Sequence, residues 1–184
     1  MGPDTPTPAT RSSATITSTP GGPSSASKSP AKTAPTSAYQ MVPAFEELML
    51  LSDDELRNVE GYKVILPGVG QVEFLAPVDL LDASPTSNRN GIRDIPGTVI
   101  IFKPKICSVY PDEENKAPPG SGVNVRARIT LESCWPVEKA TRTPITDKND
   151  PRVFKHIDKL TRMEGTEYVG FNGNTGAWCF CVSH

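Results

Sequence analysis

The stretch Gly176-Ala177-Trp178-Cys179-Phe180-Cys181-Val182-Ser183-His184 closes the chain and predicts a β-strand that runs to the last residue. Successive side chains of a strand point to opposite faces, so Trp178, Phe180 and Val182 are expected on one face. The same period places His184 on that face. Because chain ends usually fray unless they are tied down, a core strand at the very end indicates a chain cut at this point.

Composition divides the rest of the chain into two parts. Residues 1–38 contain thirty-two Pro, Ser, Thr, Ala or Gly residues, and their only large apolar side chains are Met1 and Ile16. Such a segment buries too little apolar surface to offset the entropy of ordering it, so 1–38 is predicted to be a disordered linker. Residues 39–184 have an ordinary globular composition, and their length suits one domain that folds without a metal or a disulfide.

Charge and hydropathy exclude some function classes. The net charge is −2 for the whole chain and +2 for residues 1–38, so the domain carries −4. An acidic domain is a poor candidate for nucleic-acid binding, because neutralisation of phosphates dominates that affinity. The chain has no apolar run of membrane-spanning length and no signal peptide, so we expect a soluble intracellular protein without membrane contact.

Local patterns predict helices at both ends of the domain and strands between them. Ser52-Asp53-Asp54-Glu55 is a capping box that opens a short helix, and a second short helix is predicted over 43–51. Asp150-Pro151 begins a longer helix that reaches Met163. Strands are predicted at 62–66, 71–75, 98–102, 105–110, 125–131 and 166–171, and at the end of the chain. These elements predict an α+β fold: a single domain with a mainly antiparallel, sandwich-like β-sheet flanked by short helices.

Two of these segments have clear faces. In the strand before Leu131, one face is predicted to be buried and comprises Val125, Ala127, Ile129 and Leu131. The other face is predicted to meet solvent and comprises Asn124, Arg126, Arg128 and Thr130. In the helix after Pro151, the predicted buried stripe comprises Val153, Phe154, Ile157 and Leu160.

The residue types offer little catalytic chemistry. His156 borders the buried stripe of its helix, and a hydrogen-bonded boundary residue is the preferred interpretation. Ser183 and His184 are neighbours on a strand and point to opposite faces, so they cannot form a catalytic dyad without a bend. No zinc-protease, phosphate-loop or hydrolase-elbow motif occurs.

The four cysteines are predicted to be reduced core thiols, because Cys107, Cys134, Cys179 and Cys181 lie in apolar, strand-like surroundings. A metal site built from Cys179 and Cys181 with a histidine is the alternative, but no second paired motif supports it. We therefore expect no metal and no cofactor.

The terminal run resembles the C-terminus of the nucleoporin autopeptidase domain, fungal-type, whose pattern is a Gly-x-Trp-x-Phe-x-Val-Ser-His strand followed by Phe-Ser or Phe-Thr. This domain ends an FG-repeat nucleoporin. Other segments are similar to the family in the same order: Tyr39 with Pro43 and Glu46-Glu47-Leu48, the proline-glycine loop Lys116–Asn124, the strand Ala127–Leu131, and Trp135-Pro136. The resemblance covers nearly all of 39–184.

The resemblance implies a single self-cleavage. In the family, the Ser or Thr hydroxyl attacks the preceding Phe carbonyl, and the histidine before the Phe assists as a base. His184 corresponds to that histidine and is the candidate catalytic residue. The chain stops before the Phe and the nucleophile, so it is expected to be an inactive remnant of a serine-type autopeptidase.

The resemblance also implies anchoring. The family docks onto the β-propeller of a cytoplasmic-face nucleoporin, or holds the N-terminal segment of its own cleaved downstream partner, at the nuclear pore complex of the nucleus. No Phe-Gly dipeptide occurs in the chain, so 1–38 is expected to be the linker before the domain. The leading hypothesis is a docking module that fixes an FG nucleoporin to the pore scaffold.

Two alternatives stay open. Self-cleavage is the main role in one of them. In the other, the sheet binds single-stranded RNA through Lys103, Lys105, Arg126 and Arg128, although the acidic balance of the domain opposes this.

Overall fold

The structure is a computed structural model that describes residues 34–184. These residues form a six-stranded antiparallel sheet and a separate two-stranded one. In spatial order, the large sheet contains β1 (Gln40–Val42), β2 (Lys63–Leu66), β3 (Gly70–Phe74), β6 (Ala127–Leu131), β8 (Ala177–Val182) and β7 (Glu167–Asn172). The small sheet is the hairpin of β4 (Ile100–Lys103) and β5 (Ile106–Val109). The predicted α+β fold with a mainly antiparallel sheet is confirmed.

Alternation along the central strands builds one buried face of the large sheet. Val72 of β3 pairs with Ile129 of β6, and Ile129 pairs with Phe180 of β8. All three side chains are buried in the core. The predicted inward residues of β6 are also buried, namely Ala127, Ile129 and Leu131, and so is Val125 just before the strand. The period of two therefore identified the core face correctly.

Within residues 34–184, four α-helices flank the sheet: α1 (Phe45–Leu48), α2 (Asp53–Leu56), α3 (Leu80–Ala83) and α4 (Pro151–Thr161). The capping box before α2 forms as predicted. The Ser52 hydroxyl accepts from the Glu55 N–H at 3.3 Å, and the Ser52 N–H donates to the Glu55 carboxylate at 2.7 Å. Leu48 and Leu56 are fully buried and hold α1 and α2 on the core. No helix within 34–184 is long and apolar enough to span a membrane.

Helix α4 begins where the sequence predicts, but its buried stripe is narrower. Val153 and Leu160 are buried, whereas Ile157 is half-buried and Phe154 is 59% exposed. Each residue turns an α-helix by about 100°, so Leu160 comes back within about 20° of Val153 while Phe154 lies a quarter-turn away. The prediction that Phe154 belongs to the core is therefore wrong.

Asp150 caps α4 and makes its first turn sensitive to acid. Hydrogen bonds from the Arg152 guanidinium and from its backbone N–H lower the pKa of Asp150 from 3.8 to about 2. Because the folded pKa is depressed, the stabilisation by Asp150 is complete above about pH 4 and is lost as the pH falls through about 2. We expect the amide resonances of Arg152 and Val153 to shift between pH 4 and 2. Asp150→Asn keeps a capping side chain that does not titrate. An identical pH profile in that variant would contradict the assignment.

The strands predicted at 98–102 and 105–110 form the hairpin of β4 and β5, and β4 starts two residues later than predicted. Thr98 and Val99 belong to a kinked helical turn, Ile95–Val99, in which Gly97 has φ +90°. Lys105 has φ +63° and turns the chain back on itself. Ile100 and Phe102 are buried while the alternate positions are half-buried, so one face of β4 packs on the core.

The predicted disordered linker, 1–38, lies outside the described residues except for 34–38. There, Thr36–Ala38 forms a short 3-10 turn. Tyr39 follows it, and its hydroxyl accepts a hydrogen bond from the Phe102 N–H at 3.0 Å in the buried interior. The segment just before the first strand is thus tied to the β4–β5 hairpin.

Replacing Tyr by Phe is expected to change the free energy of unfolding in opposite directions at two buried tyrosines. The Tyr62 hydroxyl is buried with no hydrogen-bond partner among residues 34–184. Removing an unsatisfied polar group relieves its desolvation, so Tyr62→Phe is expected to raise the free energy of unfolding by about 1 kcal/mol or more. Tyr39→Phe leaves the buried Phe102 N–H without its acceptor and is expected to cost about 1–3 kcal/mol. Urea unfolding of both variants measures this difference, and effects of the same sign would contradict it.

Candidate functional site

The terminal strand is packed as the sequence predicts but ends earlier. Trp178 and Phe180 are each 6% exposed, and their rings stack with centroids 4.1 Å apart. Strand β8 ends at Val182, and Ser183 and His184 are exposed beyond it. The expectation that the strand carries His184 on its buried face is therefore wrong. A catalytic role for His184 stays a prediction.

Two neighbouring strands hold the backbone at the end of β8. Val182 pairs with Ala127 of β6, and Cys181 pairs with Glu167 of β7. Arg126 lies just before β6 and forms an ion pair with Glu167 at 2.5 Å. This pair links the starts of β6 and β7, the two strands that flank β8. The direction in which the chain leaves β8 is thus fixed by contacts on both sides.

Close packing of Gly176 against Trp135 fixes the other end of β8. Gly176 has φ +67°, and a Cβ built there would lie 2.6 Å from a ring carbon of Trp135. The Cys134 N–H donates to the Gly176 carbonyl at 2.7 Å, and Trp135 Nε1 donates to the Gly173 carbonyl at 3.0 Å. The glycine of the terminal motif and the tryptophan of Trp135-Pro136 therefore form one packing unit.

Asn124 is buried, contrary to the prediction that it lies on the solvent face with Arg126 and Arg128. The Asn124 side-chain Nδ2 donates to the Ala117 carbonyl at 2.7 Å, and the Asn124 backbone carbonyl accepts from the Gly120 N–H at 2.8 Å. The reason is that β6 begins only at Ala127, so the alternation does not extend back to Asn124. Asn124 closes the proline-glycine loop that leads into β6, a role that the sequence pattern missed.

Acidic neighbours neutralise the cations of the solvent face. Arg128 contacts Glu73 at 3.3 Å, and Arg126 contacts Glu167. Lys105 donates to a backbone carbonyl at 3.3 Å. Three of the four cations predicted for RNA binding are thus already engaged, and the geometry gives that alternative no support.

His156 is a hydrogen-bonded boundary residue. Its Nε2 lies 2.6 Å from the Cys134 carbonyl oxygen. A carbonyl oxygen can only accept, so Nε2 is the donor. The ring also packs edge-on against Phe171, with centroids 6.0 Å apart. The preferred interpretation of His156 from the sequence is therefore confirmed.

Burial suppresses the chemistry of two of the four thiols, Cys107 and Cys134. All four cysteines are free. Burial raises the pKa of Cys107 to about 12 and also raises that of Cys134. Within residues 34–184, no three His, Cys, Asp or Glu side chains come close enough together to hold a metal ion. The arrangement does not favour the alternative of a metal at Cys179 and Cys181.

The fold, the terminal strand and the closed proline-glycine loop define a nucleoporin domain. The family model described as "Nucleoporin2: Nup98-96 autopeptidase S59" matches residues 36–184. The chain belongs to this family, and the resemblance drawn from its terminal motif is confirmed.

Fungal relatives share the whole domain. Nucleoporin nup189 of Schizosaccharomyces pombe is 44% identical over 146 residues, which are 79% of this chain and 8% of nup189. Nucleoporin NUP116/NSP116 of Saccharomyces cerevisiae is 36% identical over 146 residues, 79% of this chain and 12% of that protein. The chain therefore spans only a small part of the length of these curated relatives. It is a nucleoporin domain of the nuclear pore complex, in the nucleus.

A solved structure has the same fold. The chain is similar to one in the yeast heterotrimeric Nup82-Nup159-Nup116 nucleoporin complex, with a TM-score of 0.71 and 34% sequence identity. The likeness covers 80% of this chain and 96% of that chain.

Proposed function

We propose that this domain is a docking module that anchors an FG nucleoporin to the pore scaffold through a partner nucleoporin. The observation that carries the proposal is the likeness to a chain of the Nup82-Nup159-Nup116 complex, because it covers 96% of that chain. With so little of that fold missing, any surface through which the relative assembles has a counterpart here. The partners we propose are the β-propeller of a cytoplasmic-face nucleoporin and the N-terminal segment of the cleaved downstream nucleoporin.

Exposed apolar side chains agree with a docking role. Leu50 in the turn after α1 is 86% exposed, and Phe154 on α4 is an exposed aromatic ring. Aromatic residues, phenylalanine included, are enriched in the cores of protein interfaces.

Binding to purified yeast Nup82–Nup159 tests the docking. We expect the full chain to co-elute with this pair in size-exclusion chromatography at micromolar concentration, while residues 1–38 alone do not. A Kd at or below about 1 µM corresponds to about −8 kcal/mol, which suits a specific interface. Separate elution at 10 µM of each protein, a tenfold excess over that Kd, would refute the proposal.

We also propose that the domain derives from a precursor that cuts itself just after this segment, at the far side of a Phe that follows His184. The hydroxyl oxygen of a Ser or Thr placed after Phe would attack the Phe carbonyl carbon. Its proton would pass to His184 and from there to the Phe–Ser amide nitrogen as the C–N bond breaks, and water would then hydrolyse the resulting ester to a free Phe carboxylate and a free hydroxyl. The support is positional: β8 is held by β6 up to Val182 and by β7 up to Cys181, and rigid placement makes the attack intramolecular.

Extending the chain by Phe-Ser and a short tag is expected to produce a chain that cleaves itself without a cofactor. His184→Ala removes the proton acceptor and is expected to slow cleavage by about 10²–10⁴-fold. Replacing the added Ser by Ala should stop cleavage, since no nucleophile remains. Mass spectrometry of the folded protein follows the reaction. An extended chain that stays intact for days would refute the autopeptidase proposal and leave docking untouched.

A further inference from the structure

A groove of about 360 Å³ lies between α4 and the segment 136–145, away from the end of β8. Its apolar lining comes from Pro136, Val137 and Ile145, and α4 contributes Lys155, His156 and Lys159. The volume falls in the range of about 300–1,000 Å³ that is typical of ligand pockets.

The groove carries a positive charge in an acidic protein. Glu138 is the one carboxylate in its lining, and the Arg152 guanidinium bridges it at 2.7 Å and the neighbouring Asp150 at 2.7 Å. Lys155 and Lys159 form no ion pair within residues 34–184, and neither does Lys139 at the rim. The chain as a whole has a net charge of −2, so this groove reverses the overall sign. Cations gathered in a concave site attract anionic ligands.

The spacing of the lysines suits an extended segment. Lys155 and Lys159 are four residues apart on α4, which places their Cβ atoms about 5–6 Å apart on one side of the helix. Alternate side chains of an extended chain lie about 7 Å apart on one face. Carboxylates at every second position can therefore meet both ammonium groups, while the residues between them face the apolar lining.

The groove is preformed. The Glu138 N–H donates to the Thr143 carbonyl at 2.9 Å, and the Ile145 N–H donates to the Pro136 carbonyl at 2.8 Å. The Arg152–Glu138 pair then ties this segment to the start of α4. The hydrogen bond from His156 Nε2 to the Cys134 carbonyl fixes the imidazole ring in the wall of the groove. A preformed site lowers the ordering cost of binding.

We propose that this groove holds an extended acidic segment of a partner nucleoporin, in which carboxylates alternate with apolar residues. The proposal rests on the docking function proposed above. It adds the surface and the chemistry of the segment that this surface recognises.

Fluorescence anisotropy with a fluorescein-labelled Asp-Leu-Asp-Leu-Asp-Leu-Asp peptide tests the groove on the full chain. Lys155→Glu/Lys159→Glu is expected to weaken binding at least tenfold, and Lys155→Arg/Lys159→Arg to keep it within threefold. The matched control, Lys103→Glu/Lys116→Glu, makes the same change of charge outside the groove and should bind like wild type. Equal weakening by the groove and control variants would overturn the proposal, and so would a peptide that does not bind.

A second peptide, with Ser in place of every Leu, tests the apolar lining. It is expected to bind at least fivefold more weakly, and equal binding would overturn the apolar half of the proposal.

Capture of Nup82–Nup159 by the chain distinguishes a failure of the groove proposal from a failure of the docking proposal. Capture that Lys155→Glu/Lys159→Glu leaves unchanged would refute the groove alone. Failure of the wild-type chain to capture the pair would refute the docking function, while the peptide titration still reports on the groove.

Discussion

Trp178→Ala is expected to lower the free energy of unfolding by about 3–5 kcal/mol, because it deletes a large buried aromatic ring. Trp178 stacks on Phe180 and pairs with Leu131 of the neighbouring strand β6, which is itself buried. Its indole N–H has no hydrogen-bond partner among residues 34–184, so the loss is one of packing rather than of a polar contact. Urea unfolding followed by circular dichroism measures the change.

Phe154→Ala is the matched control for this loss. It also truncates an aromatic ring, but Phe154 is exposed on α4, and a surface substitution of this kind is expected to stay within about 0.5 kcal/mol. The two positions were both predicted to be core by periodicity. Similar costs for the two variants would show that the packing of β8 described above is wrong.

Gly176→Ala is expected to cost about 2–5 kcal/mol, for two reasons that add. A positive φ of +67° is strained for any residue with a Cβ, by about 1–2 kcal/mol. The new methyl group would also lie 2.6 Å from the Trp135 ring, and overpacking of this kind typically costs about 1–3 kcal/mol. Thermal unfolding should show a clear fall in Tm.

Gly61→Ala separates these two contributions. Gly61 has nearly the same backbone angle, φ +65°, but no atom lies within 4 Å of a Cβ built there. Its substitution should therefore cost only the strain, about 1–2 kcal/mol. If Gly61→Ala and Gly176→Ala cost the same, the contact between Gly176 and Trp135 does not constrain β8.

Local chemistry was enough to predict several parts of this fold. The capping box at Ser52 and the cap at Asp150 depend on residues within one turn of each other, so the sequence places both helix starts correctly. The alternation of apolar residues before Leu131 and around Phe180 shows which side of each strand meets the core. The terminal motif also resembled the nucleoporin autopeptidase family, to which the chain belongs.

Only the tertiary structure decided where these patterns stop. In the sequence, the period-two pattern of side chains continues to Asn124 and to His184. A strand, however, extends only as far as a neighbouring strand pairs with it. Pairing between β6 and β8 runs from Ala127 with Val182 to Leu131 with Trp178. Asn124 therefore lies in a closed loop, and His184 lies in solvent. Likewise, the rotation of α4 is set by what it packs against, which is why Phe154 is exposed and two lysines line a groove.

The difference between the features that the sequence determined and those that tertiary packing determined has one physical cause. By itself, the sequence determined the interactions made by residues close together in the chain, namely caps, turns and the amphipathic period of each element. The contact of Gly176 with Trp135, the hydrogen bond of Tyr39 to Phe102 and the groove beside α4 join residues far apart in the chain. Their free energy depends on distances and burial that exist only after the sheet has assembled, so tertiary packing alone decided them.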